Sequence, residues 1–182
     1  AVDGDLSGDF RAPTPVDLAL GSNRLLGSTI PAPTDADFFK VEVAPGRAVE
    51  KVVLATYDYD DRWFRDQGAF LGVERGASFD MTGASMLGWA LVGEHAGRTV
   101  GDDVLDDLGR TEESPRGSGF EPPLGAGTYT FWYQQTIGET AYELDLVVTP
   151  VPPALPLLAG ALFGLGLWRR RVQASSRALN VA

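Results

Sequence analysis

The chain of 182 residues contains no cysteine. Disulfide staples, a thiolate nucleophile and Cys-based zinc or iron–sulfur sites are thereby excluded. Histidine occurs once, as His95 in the polar stretch GEHAGR. A Ser-His-Asp triad would hang on that single imidazole, with no nucleophile signature beside it, so His95 reads as an exposed loop residue. Basic residues are also scarce. Fifteen Lys and Arg stand against 25 Asp and Glu, and four of the arginines follow Pro150. The part before Pro150 then carries eleven basic and twenty-five acidic residues, a balance of about −14. Such a field repels phosphate backbones and anionic lipid heads, and no nucleic-acid partner is expected. Long amphipathic helical periods are missing as well, except at the C-terminal end.

That end holds the strongest single signal. Val151 to Trp168 (VPPALPLLAGALFGLGLW) is an uncharged run followed at once by Arg169, Arg170 and Arg171. About twenty apolar residues cross about 30 Å of hydrocarbon, so the run is predicted to form one transmembrane helix. Among its apolar and small residues are Leu155, Leu157, Leu158, Gly160, Leu162, Phe163, Gly164, Leu165, Leu167 and Trp168. Cationic flanks stay cytoplasmic, which puts residues 172–182 inside as a tail and everything before Val151 outside the cytoplasmic membrane. The six leucines and Phe163 favour insertion by roughly 3 to 4 kcal/mol, and three glycines and Pro156 take much of that back. Insertion is favourable but marginal, which suits a segment held long enough to be processed. Gly160 and Gly164 form a GxxxG spacing at which a second helix can approach closely, though small residues in a short segment also give that spacing by chance. Ala1 at the start, in AVDGD, suits a small-residue cleavage junction after a removed export signal.

The preceding residues read as strands. Residues 1–15 show neither apolar period and are expected to form an extended lead-in. Val16 to Leu20 alternates, Gly21, Ser22 and Asn23 can turn, and Arg24 to Ile30 can return as the second arm of a hairpin. Phe38 to Val43 places Phe39, Val41 and Val43 on one face. Val49 to Tyr57 is β-branched and apolar in its middle. Phe70 to Val73 and Met86 to Val92 are short apolar runs, and Gly88 inside the second marks a bulge or a tight backbone contact. Between Gly93 and Pro123 only Val104 to Leu108 suits a helical turn. Gly127 to Gln135 and Ala141 to Thr149 are the last strands, predicted to pair as a hairpin through Thr136 to Thr140. Many short strands at regular spacing give an all-β antiparallel sandwich over residues 16–149. Periodicity leaves jelly-roll and immunoglobulin-like topologies open. The second lacks its cysteine and tryptophan landmarks here, so a jelly-roll-like arrangement is the expectation.

Three groups of side chains invite chemistry. Asp35 and Asp37, then Asp58, Asp60 and Asp61, then Asp102, Asp103, Asp106 and Asp107 are loop aspartates of the kind that can converge on calcium, although none follows EF-hand spacing. Solvated acidic loops that keep an exported protein soluble are the preferred reading of them, and no cofactor is expected. Glu112 with Glu113, or Glu139 with Glu143, could be imagined as a glycosidase pair, but carboxylates are abundant in this chain. Trp132 and Tyr142, if exposed together, would stack on sugar rings; core packing is the commoner fate of such an aromatic stripe.

Two stretches resemble known families. The tail is similar to the PEP-CTERM sorting signals, with Val151, Pro152 and Pro153 at the proline motif, the helix from Leu155 to Trp168, and the basic stop at Arg169 to Arg171. It departs from the usual form in lacking Glu after the first proline and in the eleven residues that follow Arg171. The resemblance assigns residues 150–171 to a sorting signal and implies processing near the proline motif by an exosortase, in a Gram-negative bacterium. DADFFKVEVAPG (Asp35 to Gly46) and PLGAGTYTFWYQQTIGETAYELDLVV (Pro123 to Val148) resemble the bacterial pre-peptidase C-terminal domain, a calcium-tolerant β-sandwich of secreted proteins. Together they imply a non-catalytic protein of the cell surface or extracellular matrix, with exopolysaccharide as a candidate associate. The rival from another class is a carbohydrate-active enzyme or sugar-binding module built on loop carboxylates and exposed aromatics.

Overall fold

The computed structural model describes residues 5–30, 35–59, 68–93, 96–110, 117–135 and 138–152. The chain divides into two compact units, Ala1–Pro150 and Val151–Ala182. Of the second only Val151 and Pro152 are among the described residues, and both are exposed. The expected helix from Leu155 to Trp168, the arginines after it and the tail of residues 172–182 lie outside the described residues. Among those described, no helix is long and apolar enough to cross a membrane.

The first unit is two β-sheets sharing one core. β1 (Thr14–Val16), β3 (Asp37–Val43), β5 (Ala69–Arg75), β6 (Met86–Val92) and β7 (Gly127–Gln135) form a five-stranded sheet in the order β1-β3-β7-β5-β6. β2 (Gly21–Thr29), β4 (Arg47–Tyr59) and β8 (Thr140–Pro150) form a three-stranded sheet in the order β2-β8-β4. All pairings are antiparallel except β1 with β3, which is parallel. The core takes alternate residues from both sheets. Phe39, Val41, Val43, Leu71, Val73, Tyr129 and Phe131 come from the larger, and Leu25, Val49, Val52, Leu54, Leu144 and Leu146 from the smaller. The two-residue period of the sequence is therefore the period of burial. One short helix, α1 (Leu105–Gly109), lies where VLDDL suggested a helical turn and buries Leu105 and Leu108.

Both expected hairpins are corrected by the pairing. β1 ends at Val16 and runs beside β3, whereas β2 pairs with β8, the last strand of the sequence. Asn23 explains the crossing. Its side chain accepts from the Ala19 N–H at 2.7 Å and donates to the Ala19 carbonyl at 2.9 Å, and Gly21 takes a φ of +91°. The loop is thus closed on itself by an Asx-type bond, and the chain leaves one sheet and enters the other. β7 and β8 also part company. Each is a central strand with two neighbours, β3 and β5 for β7, β2 and β4 for β8. A mutual hairpin would have left two apolar-faced strands without one of those partners. They meet instead across the core, where the rings of Tyr133 and Tyr142 stack with centroids 3.7 Å apart.

Gly88 fulfils both of its expectations. Register skips a residue beside it, since Val73 pairs with Gly88 and Glu74 with Met86. A Cβ on Gly88 would overlap the backbone carbonyl of Leu108, so the bare backbone is what lets α1 close over β6. β4 carries two further register shifts, at Val49/Lys51 and Leu54/Thr56. The first of these bulges keeps Val49, Val52 and Leu54 inward although strict alternation would have turned one of them out. The described part of the lead-in is not extended throughout, since the Ala12 N–H donates to the Asp9 carbonyl at 3.0 Å in a turn, and it belongs to the sheet: Leu6 is buried, Ser7 bridges Phe38 and β1 completes the edge.

Candidate functional site

The inward face of β3 begins at Asp37, which shares parity with Phe39, Val41 and Val43 and is fully buried. Its Oδ2 accepts a hydrogen bond from the Tyr142 hydroxyl at 2.7 Å, a link from one sheet to the other. Its Oδ1 has no hydrogen-bond partner among the described residues. Burial pushes the carboxyl up to about 6; the Tyr142 bond opposes this, and the charges of Asp35 and Asp5 add to it. Burial, with the Asp37 charge, likewise raises Tyr142 well above the ordinary tyrosine value. Tyr142 reaches Asp37 because its ring lies across Gly27, where any Cβ would collide with the phenol. Around this pair the end of the core is polar. Gln135 donates to the Tyr57 hydroxyl at 3.2 Å, and the hydroxyls of the cross-strand pair Thr29 and Thr140 are buried without partners among the described residues.

A hollow of about 350 Å³ opens beside the pair, lined by Asp5, Leu26, Ser28, Thr56, Ala141 and Glu143 together with Gly27 and Tyr142. Ala141 supplies the space, since its small side chain sits opposite Ser28 and Asp58 on the neighbouring strands. Glu143 is held on the same surface by the Thr56 hydroxyl at 3.4 Å and by Arg24, whose Nη1 lies 3.1 Å from Oε1. Two carboxylates thus line one concavity. Its aromatic member, Tyr142, is 2 % exposed and presents no ring face to solvent.

Trp132 is on the other side of the larger sheet. It packs with Phe38 (centroids 5.7 Å, stacked), Phe70 (4.6 Å) and Phe79 (5.5 Å, edge-on) in a second apolar cluster on the outer face. Gly72, cross-strand from Trp132, leaves the space that the rings of Phe70 and Phe79 fill. The sugar-stacking pair of Trp132 and Tyr142 is therefore corrected: strand alternation puts one ring outside the larger sheet and the other between the sheets. Of the two candidate glutamate pairs, Glu139 is exposed in the β7–β8 connection and Glu143 lines the hollow, while Glu112 and Glu113 lie outside the described residues.

The aspartate groups are engaged in building loops. Asp35 accepts from the Ile30 N–H at 2.6 Å. Asp102 accepts from the Thr99 N–H at 2.7 Å, and Asp103 Oδ1 from the N–H groups of Val52 and Leu105, both at 3.1 Å. Asp107 bridges Arg98 at 2.7 Å and Arg110 at 3.1 Å. Asp58 and Asp106 are exposed, while Asp60, Asp61 and His95 lie outside the described residues. Among the described residues no three His, Asp or Glu side chains converge as a metal site would require. The calcium candidates Asp35 and Asp37 stand two residues apart in sequence but differ in environment, one half-exposed and one fully buried.

Sequence reasoning missed a further arrangement. Asp80 accepts from the N–H (2.9 Å) and hydroxyl (2.7 Å) of Thr82 and from the Ser85 hydroxyl (3.3 Å), which together hold its carboxyl below the usual carboxylate range. Its own N–H donates to buried Glu74 at 2.7 Å. The signal was present as Asp-x-Thr-Gly, an Asx-turn pattern, and its role is to fold Phe79 onto Trp132. The proline motif begins one residue after β8 ends: Val151 and Pro152 are exposed, and Pro153 lies outside the described residues. No protein-family model matches the sequence, and no curated protein matches it either.

Proposed function

We propose that the chain is an exported, non-catalytic protein of the cell surface or extracellular matrix, delivered by a PEP-CTERM-like tail and processed near Val151, Pro152 and Pro153 by an exosortase-type enzyme. The sandwich, jelly-roll-like and similar to a pre-peptidase C-terminal domain, serves as an interaction or structural module, with exopolysaccharide as a candidate partner. The reading rests on residues 151–171, where an uncharged run meets three arginines. One observation supports treating that run as a detachable handle. β8 pairs through Pro150 with Arg47, and the first compact unit ends at that residue, so the described strands of the sandwich end before the expected proline motif begins. Export is compatible with the acidic surface.

The hollow with Asp5 and Glu143 favours the sugar-binding alternative, because paired carboxylates and the hydroxyls of Ser28 and Thr56 suit a polyhydroxylated ligand. The non-catalytic reading is preferred because that hollow presents no exposed aromatic face. Mass determination of the protein recovered from cells and from medium tests the proposal. A product ending near Val151, outside the cells, is the expected result; full-length protein confined to the membrane fraction would refute processing and leave a plain anchor.

A further inference from the structure

Residues 5–16 cross the start of β3 as a strap. The Phe38 N–H donates to the Ser7 carbonyl at 2.8 Å, and the Ser7 N–H donates to the Thr14 hydroxyl at 2.9 Å. Leu6 is buried in the main core, and Phe10 packs edge-on against Phe38 with centroids 6.2 Å apart. Beneath the first crossing lies Asp37, fully buried, with one oxygen bonded to Tyr142 and the other without a full hydrogen bond, although the Leu6 N–H is turned toward the carboxyl. Among the described residues, the titratable groups facing it are Asp5 on the strap, Asp35 ahead of β3, Tyr133 on β7 and Tyr142 on β8; β2 contributes only Gly27 and Thr29. None of these brings a positive charge, and no described ion pair reaches Asp37. A protonated carboxyl tolerates this corner. An ionised one is an uncompensated buried charge beside two more carboxylates, and lifting the strap is the local movement that returns it to water.

We propose that residues 5–16 are a pH-responsive strap, seated on β3 while Asp37 holds its proton and released as Asp37 ionises. Release uncovers the outer edge of β3 and the apolar seat of Leu6. The sign follows from linkage. Seated, the carboxyl titrates near 6; opened to water, it titrates near the ordinary aspartate value of 3.8. Opening is therefore rarest below about pH 4, grows as pH climbs to about 6 and is level above that. The separation of the two values sets the range at up to about 100-fold in the opening constant.

Hydrogen exchange by mass spectrometry on the full-length chain, corrected for the intrinsic pH dependence of exchange, reads this directly. Peptides covering residues 5–16 are expected to lose protection by one to two orders of magnitude between pH 4 and pH 7, and to stay less protected than peptides covering β8 at every pH, as local rather than global opening requires. Asp37→Asn is expected to abolish the pH dependence of the strap. Asp5→Asn, which removes one facing charge from the exposed surface, is expected to move the midpoint to lower pH, and this holds as a test should Asp37→Asn fail to fold. Flat strap protection from pH 4 to 7, an unchanged slope in Asp37→Asn with an unmoved midpoint in Asp5→Asn, or strap protection equal to that of β8 across the range would overturn the proposal.

Discussion

A glycine and an aspartate show how far single residues govern this fold. Gly88 is the point where α1 touches β6, and a methyl group there meets the Leu108 carbonyl oxygen rather than a yielding side chain. Gly88→Ala is expected to destabilise the protein by about 2 to 4 kcal/mol in chemical denaturation, the range of overpacking against backbone. Asp37 acts through its proton. Since burial holds it near 6 in the folded chain against 3.8 in the unfolded one, its contribution to stability is full below about pH 4 and declines as pH rises to about 6. The total is about 3 kcal/mol. Thermal or urea unfolding across pH 4 to 7 should show this decline, and Asp37→Asn should remove it; a wild-type curve that instead rises over that window would contradict the assignment. Gly88 was legible because a glycine weakens the interior of an apolar strand unless a bulge or a close backbone approach requires it there. Asp37 was legible only in part. Its parity with Phe39 placed it inward, yet an aspartate at a loop margin reads just as naturally as a solvated calcium candidate.

At the scale of elements, what sequence revealed was strand character, and what it concealed was partnership. Alternation in FFKVEV and in YELDLVV states which face is apolar. It does not state which of two sheets a strand will join, because that depends on neighbours distant in sequence. β2 and β8 illustrate this: each looked like one arm of a local hairpin, and they pair with one another instead. The edges follow the same logic. β4 does not end in open hydrogen-bonding groups, because Leu54 donates to the Asp102 carbonyl at 3.0 Å, Val104 donates to the Val52 carbonyl at 2.8 Å, and Asp103 takes the N–H groups of Val52 and Leu105. One carboxylate oxygen thus joins a sheet edge to the start of α1. Asp103→Ala leaves both N–H groups without that acceptor and is expected to cost about 1 to 3 kcal/mol. It should also lower hydrogen-exchange protection in residues 50–54 and 104–108 more than in β7. Equal losses throughout would mean that Asp103 matters only through charge. The aspartate-rich stretch was read as solvated loop, and its bonds show why composition could not tell more: Asp103 and Asp107 are structural through backbone geometry that only the fold supplies.

For the whole molecule, the decisive property is where the first unit ends. The sandwich draws its core from residues between Leu6 and Val148 and its last ladder pair from Arg47 and Pro150. Every described core residue precedes Val151, so a chain ending at Pro150 is expected to unfold cooperatively at the same temperature as the corresponding part of the full chain, within about 2 °C. Loss of the cooperative transition on truncation would show that the sandwich needs its tail, and would remove the structural support for treating the tail as detachable. Charge gives the same boundary a second, independent readout. The segment after Pro150 holds four arginines and no Asp or Glu, so removing it takes the formal charge from −10 to about −14. A cut at the proposed proline motif would therefore produce a more acidic species. Isoelectric focusing of protein from cells and medium should separate a full-length form near the sequence pI of 4.5 from a more acidic product, with the acidic form enriched outside the cells. Retention of all four arginines in the released protein would place any cut elsewhere and defeat the assignment of the proline motif, whatever the sandwich itself binds.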